Sequence, residues 1–225
     1  MDMRFQDSPY FQGGRIFNLI CIGGLSSLMG GGRSGLDART PDLDGMIGLR
    51  HVDHEVDEFV RIKNQVKAIT PKEWNLGKNW INFVLTDRLS LEERTYIERN
   101  AGMQPRKHLA FDGKVLKVPN APWEWQLMNK MTRIAKYNWY RKEVKIRDLV
   151  DARFFIELVR SERGLQRFSH SDFLWIGRLK GYDAHKVNWV LQNSWTSIDP
   201  YTAWIGADTI EALRTAYTKP PGRWC

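Results

Sequence analysis

The chain has 225 residues, 42% of them hydrophobic, with 34 Lys and Arg against 26 Asp and Glu and a formal net charge of +8. That apolar content is ample for a packed core and excludes a disordered chain. Its two cysteines, Cys21 and Cys225, exclude a disulfide framework or a cysteine-based zinc site and fit a reducing compartment.

The charge favours an anionic partner, either nucleic acid or an acidic membrane surface. It is unevenly placed. Residues 1–100 carry 13 basic against 14 acidic side chains, and residues 101–225 carry 21 against 12. The basic character therefore belongs to the second half of the chain.

The first apolar run, Ile16 to Met29, is followed by three glycines. It is shorter than the roughly 20 apolar residues that cross a bilayer. Asp2 and Asp7 argue against a signal peptide or a mitochondrial presequence. A buried hairpin, a short helix docked on a partner and a membrane-dipping anchor are all open readings. No Lys-Ser/Thr follows the glycines, so they make no phosphate loop. Residues 40–49, with Pro41 and Gly45, read as a linker. Val52, Val56, Phe59, Val60 and Val66 then recur at helical spacing. The same stretch holds His51, His54, Glu55 and Glu58, and four-residue spacing suits metal ligation. A charged, solvated helix face has the same letters and no second cluster completes a site, so no metal or other cofactor is assigned.

Thr70 and Pro71 resemble a helix start, leading into a strongly apolar run through Trp80, Ile81, Phe83, Val84 and Leu85. A further helix is expected after Ser90, which forms a capping box with Glu93, and Gly102 can end it. Asp112-Gly113 between short alternating runs predicts a two-stranded hairpin near 108–118. From Trp123 to about Arg160 the pattern is amphipathic, one long helix or two. Ser161 then reads as the cap of a new helix, with Arg163 and Arg167 four apart on one face, a spacing that suits phosphate oxygens and equally an ordinary solvated surface. Gly181 is the expected terminator, and Asp183 the cap of a following helix with Val187, Val190 and Leu191 facing inward. Eight of the ten tryptophans, Trp139 among them, lie in this basic half; aromatics interleaved with cations can stack on unpaired bases or pack at protein interfaces, but most are read as core.

No nucleophile elbow, zinc-protease helix, Walker motif or Rossmann glycine pattern is present, so the chain reads as a non-enzyme without a small-molecule substrate. His108, His170 and His185 are scattered and form no acid–base pair.

The segment from Ser161 to Asp183 resembles the ribosomal protein fifteen family of the small subunit. Ser161, Arg163, Gly164, Leu165 and Arg167 match the family's S-R-R-G-L-x-R, and Leu179, Lys180 and Asp183 match its L-K-x-x-D at the same spacing. The basic run that precedes the serine in the family is DARFFIELVR here, and its later tyrosine is Val187. The resemblance implies a small helical protein that binds ribosomal RNA, with Ser161 as the best-matched contact. Arg163, Arg167, Arg178 and Lys180 complete the candidate RNA-binding set.

The expected fold is mainly α: a helical bundle or αα-hairpin domain with a small β-hairpin and a long N-terminal extension. Residues 1–50 form that extension, 51–118 a helical extension with the hairpin, 119–196 the ribosomal-protein-like domain and 197–225 a tail. The expected function is that of a structural constituent of a mitochondrial small ribosomal subunit, in the matrix, contacting ribosomal RNA and neighbouring proteins. The rival is a non-catalytic accessory subunit of a mitochondrial inner-membrane complex, a respiratory enzyme or ATP synthase; a viral or phage structural protein is a third reading.

Overall fold

The computed structural model describes residues 17–30, 32, 43–49, 60, 64, 81–85, 89–101, 109–111, 114–116, 119–199 and 204–214. They are mainly helical, with the expected small β-hairpin.

The first apolar run becomes a strand and a helix. β1 (Phe17–Cys21) leads through Ile22 into α1 (Gly23–Gly30). β2 (Leu43–Leu49) is the middle of a three-stranded sheet, antiparallel to β1 and parallel to β3 (Ile81–Leu85). In register, Leu19 lies opposite Ile47, and Gly45 opposite Phe83. The expected linker at 40–49 is therefore a strand over 43–49. Its glycines suggest a loop, but ladder pairing along both edges offsets their poor strand propensity. The apolar run through Ile81, Phe83 and Val84 likewise ends in a strand, which suits β-branched and aromatic residues. Of the helix expected over 52–66, the described positions, 60 and 64, are helical. The His51 to Glu58 cluster and the Thr70-Pro71 start lie outside the described residues.

The β1–α1 joint is fastened to the helical half. The Cys21 N–H donates to the Pro119 carbonyl at 2.8 Å, and the Ala121 N–H to the Cys21 carbonyl at 2.9 Å. The buried Gln126 amide accepts from the Gly23 N–H at 2.9 Å and donates to Ser26 Oγ at 2.6 Å and the Ala121 carbonyl at 2.9 Å. Gly23 has φ +64°, where a side chain is disfavoured, and a Cβ there would stand 2.6 Å from Asp44 Oδ2, so the Asp44 carboxylate would have to shift. Burial first, and then the nearby Asp44 carboxylate, push the Cys21 thiol up to about 12. At pH 8 only about one such thiol in ten thousand is ionised, and the thiolate is the reactive form. With Cys225 changed to Ser, Cys21 should resist iodoacetamide in the native protein and react within minutes in guanidinium. Fast native labelling would show that the joint opens.

α2 (Leu91–Asn100) begins as expected: Ser90 Oγ accepts the Glu93 N–H at 3.1 Å. The Glu93 carboxylate, however, turns away from the cap to meet Trp125 and Lys180. Gly102 lies outside the described residues. β4 (Leu109–Phe111) and β5 (Lys114–Leu116) pair antiparallel, with Phe111 opposite Lys114, as the Asp112-Gly113 signal requires.

The amphipathic stretch from Trp123 is two helices, α3 (Trp123–Trp139) and α4 (Ile146–Arg163), followed by α5 (His170–Leu179), α6 (Ala184–Ile198) and α7 (Ala207–Arg214). α3 is central and packs against α4, α5 and α6. Its Leu127, Met128, Met131, Ile134 and Ala135 meet Phe155, Ile156 and Val159 of α4, Phe173 and Ile176 of α5, and Trp189 and Val190 of α6. The Trp123 and Phe155 rings stack at 5.7 Å, and Phe168 and Phe173 at 4.9 Å. Truncating one such ring to Ala costs about 3–5 kcal/mol. Trp123, Trp125, Trp189 and Trp195 are buried, in keeping with the core reading of the tryptophans. At Gly177 the α5 backbone comes so close to α6 that a Cβ would stand 2.1 Å from Val187 Cγ2.

A buried ion cluster joins α3 to α4. Lys130 Nζ lies 2.8 Å from Asp148 Oδ1 and 2.7 Å from Asp151 Oδ2, and Arg133 Nη2 is 3.2 Å from Asp148 Oδ2. Residues 204–214 of the expected tail pack onto the bundle: Phe168 bridges Ile205, donating to the Trp204 carbonyl at 2.8 Å and accepting from the Gly206 N–H at 2.7 Å. Among the described residues, no helix is long and apolar enough to cross a membrane.

Candidate nucleic-acid interface

The candidate contacts Ser161, Arg163 and Arg167 lie where α4 gives way to α5, and here the sequence expectation needs correcting. Ser161 does not begin a helix. It stands in the last turn of α4, which runs unbroken through the apolar DARFFIELVR stretch and ends at Gly164, φ +62°. The Gly164 N–H donates to the Ser161 carbonyl at 3.3 Å and the Leu165 N–H to the Arg160 carbonyl at 2.9 Å. This is a Schellman ending, built on a residue that tolerates the left-handed region. The true cap of α5 is Ser169. Its side chain accepts the Asp172 N–H at 3.2 Å while Asp172 Oδ2 accepts the Ser169 N–H at 2.8 Å. The S-x-x-D spacing ahead of Phe173 carries that signal in the sequence.

Because Gly164 breaks the helix, Arg163 and Arg167 do not share a helical face. The Arg163 guanidinium lies over the Trp175 ring at 4.1 Å, with Asp172 Oδ1 at 3.7 Å. Arg167 is exposed in the turn, and Arg178 is exposed near the end of α5. Neither has an ionic partner among the described residues, whereas Arg160 is held by Glu157 and by the Gln166 carbonyl at 2.6 Å. Ser161 is exposed as well. Arg167 precedes α5 and Arg178 lies in its last turn, and α5 at ten residues is about 15 Å long.

Lys180 faces the other way. Its ammonium sits 3.3 Å from Glu93 Oε1 and 4.1 Å from the centre of the Trp125 ring, and its side chain is 11% exposed. Burial, offset in part by Glu93, holds it below the ordinary lysine range. It latches α2 to the bundle instead of offering charge to a ligand. The second half of the segment is as expected: Gly181 has φ +67°, Asp183 Oδ1 accepts the Lys186 N–H at 2.7 Å, and Val187, Val190 and Leu191 are buried. Tyr182 packs above α3, its hydroxyl 3.2 Å from Thr132 Oγ1, and burial pushes its phenol up to about 12. His170 is taken up by Asn188 at 2.6 Å.

The sequence raises interleaved aromatics and cations in this half without placing them, and the structure gathers one such group into a second cationic surface. The connection between α3 and α4 places Trp139, Tyr140, Arg141, Lys142, Lys145 and Arg147 on the outside of the molecule. Its signal is the interleaving of aromatic and basic residues in WYRKEVKIR, hidden inside a stretch that reads as continuous helix. Among the described residues, no three His, Cys, Asp or Glu side chains gather to hold a metal ion. Comparison with protein-family models, curated proteins and solved structures finds no match for the chain.

Proposed function

We propose that the protein is a non-catalytic, RNA-binding structural component of a ribonucleoprotein, with the mitochondrial small ribosomal subunit as the assembly to which its sequence resemblance points. The observation that carries this reading is the pair of exposed arginines toward the two ends of α5, Arg167 and Arg178, which have no ionic partner among the described residues. They lie in the half of the chain with 21 basic against 12 acidic side chains. Guanidinium groups left unpaired on a basic surface suit phosphate oxygens, which they engage through paired N–H donors. The membrane-subunit reading leans on Ile16 to Met29, yet Ile20, Cys21, Ile22, Ser26 and Ser27 of that run are buried within the protein.

Arg167→Glu combined with Arg178→Glu should weaken binding to a structured small-subunit ribosomal RNA transcript. The slope of log affinity against log salt should become shallower by about two, one phosphate contact for each arginine. An unchanged slope would mean that neither arginine touches RNA. Co-sedimentation of the native protein with small ribosomal subunits through a salt wash supports the assembly, and recovery only with washed membranes overturns it.

A further inference from the structure

We infer that the α3–α4 connection is a second RNA surface, distinct from the α4–α5 turn, on which unpaired bases stack against Trp139 and Tyr140 while Arg141, Lys142, Lys145 and Arg147 hold the adjoining phosphates. It rests on the RNA-binding reading above and names the kind of RNA, single-stranded.

The exposure of the aromatic groups is the first ground. Trp139 is 39% and Tyr140 58% exposed, on a bundle that buries Trp123, Trp125, Trp189 and Trp195. The platform is also rigid at its base. Trp139 meets the buried Trp189 edge-on at 6.0 Å, and the neighbouring Asn138 amide donates to the Asn193 carbonyl at 2.5 Å and to Ser197 Oγ at 2.9 Å. A ring held in place loses little freedom when a base stacks on it, and every base offers a face, so such a platform takes single strands regardless of sequence.

Charge supplies the second ground. From Trp139 to Arg147 the chain has four cations and one carboxylate, Glu143, and among the described residues none of the four cations forms an ion pair. Lys142 Nζ stands 5.9 Å from the Tyr140 ring centre, so cation and aromatic face occupy one patch.

The backbone gives a third. α3, α4 and α5 end in the same pair of hydrogen bonds. The Arg141 N–H donates to the Asn138 carbonyl at 3.1 Å and the Lys142 N–H to the Tyr137 carbonyl at 2.9 Å, matching the bonds at Gly164 and Gly181. The left-handed residue is glycine at two of these ends and Arg141, φ +51°, at the third. A side chain is disfavoured there. An arginine in that conformation costs the fold stability that a glycine would not, which fits a role for its charge outside the fold.

Unpaired RNA suits this patch better than a bilayer does. Ile146, 72% exposed, is its one projecting aliphatic residue and Val144 packs into the core, so the patch has a single aliphatic side chain to bury among acyl chains. α4 is 18 residues long, so the connection lies about 27 Å from the α4–α5 turn, too far for the two surfaces to share one phosphate.

The test uses the full chain, a labelled dodecameric oligouridylate, a duplex RNA of the same length, and vesicles containing about 30 mol % phosphatidylserine. Trp139→Ala with Tyr140→Ala should weaken oligouridylate binding about tenfold or more with little effect on duplex, since stacking is lost while phosphate contacts remain. Arg141→Gly relieves the left-handed strain, so it should melt no lower than the parent. It should still bind oligouridylate severalfold more weakly, with a salt slope shallower by about 0.7. Unchanged oligouridylate affinity in both variants overturns the inference, as does vesicle binding that depends on these residues while RNA binding does not. If the parent protein binds RNA and only the Arg167 and Arg178 variant weakens it, the inference falls and the RNA-binding reading stands. If the parent binds neither RNA, both fall.

Discussion

Lys130→Met is expected to lower the melting temperature by about 12 °C. The Lys130 ammonium lies between two buried carboxylates, 2.8 Å from Asp148 and 2.7 Å from Asp151, with almost no solvent access to any of the three side chains. Methionine keeps the volume and removes the charge. Asp148 keeps Arg133, but that guanidinium is 44% exposed and reaches only one oxygen, at 3.2 Å. Breaking a buried ion pair from one side costs about 3–5 kcal/mol, because a charge stays in low dielectric without its counterion. For a chain of this size each kcal/mol lowers the melting temperature by about 2–4 °C. Further replacing Asp148 and Asp151 with Asn should recover part of the loss, since the near-isosteric amides leave no buried charge without its counterion. Calorimetry on the three proteins decides it. A parent-like melting point in Lys130→Met would mean that water reaches the carboxylates and the cluster contributes little.

The difference between a two-helix contact and a helix end explains which parts of the fold were legible. Local chemistry resolved Asp112-Gly113, Ser90, Gly181 and Asp183, because a hairpin loop, two caps and a terminator are each set by a few neighbouring residues. Ser161 misled for the same local reason. A serine followed by Glu162 reads as a cap, but the apolar pattern through Phe154, Phe155, Leu158 and Val159 carries α4 past it, and Gly164 ends the helix three residues on. β2 was illegible because its support is not local. Residues with the look of a linker become the middle strand only when β1, and β3 more than thirty residues later, supply partners on both edges.

The candidate site divides along the same line. Arg167 and Arg178 are exposed as a basic segment suggests, since solvent is the default for arginine. Lys180 carries the same kind of letter and is committed to Glu93, a residue 87 positions away, which spacing within the segment cannot reveal. The patch around Trp139 could not be placed from its interleaved aromatics and cations alone, because it depends on α3 ending there, and the residue that ends it is an arginine instead of the glycine that would have announced a turn.

Glu93→Gln should cost about 3 kcal/mol at neutral pH, about 9 °C of melting temperature, with the deficit shrinking as pH rises. The Glu93 carboxylate accepts the Trp125 Nε1–H at 2.6 Å and faces the Lys180 ammonium at 3.3 Å. The amide keeps an acceptor for the indole and removes the counterion. Lys180 is left against the Trp125 ring, 4.1 Å from its centre, and that contact puts the cost at the low end of the range for a broken buried pair. Burial already lowers the Lys180 pKa, and Glu93 is the largest influence raising it, so losing Glu93 lowers it further. With the folded value depressed, the unfolded chain holds the proton more tightly. The burial penalty is then complete below the folded pKa and fades as pH climbs toward the unfolded value. Urea melts at pH 7 and pH 10 should therefore differ more for Glu93→Gln than for the parent, with the variant gaining on the parent at high pH. A deficit that stays constant with pH would assign the loss to the Trp125 hydrogen bond. RNA affinity measured well below the melting point should not change, because Lys180 points into the α2 latch; tighter binding on release of Lys180 from Glu93 would return that lysine to the RNA surface.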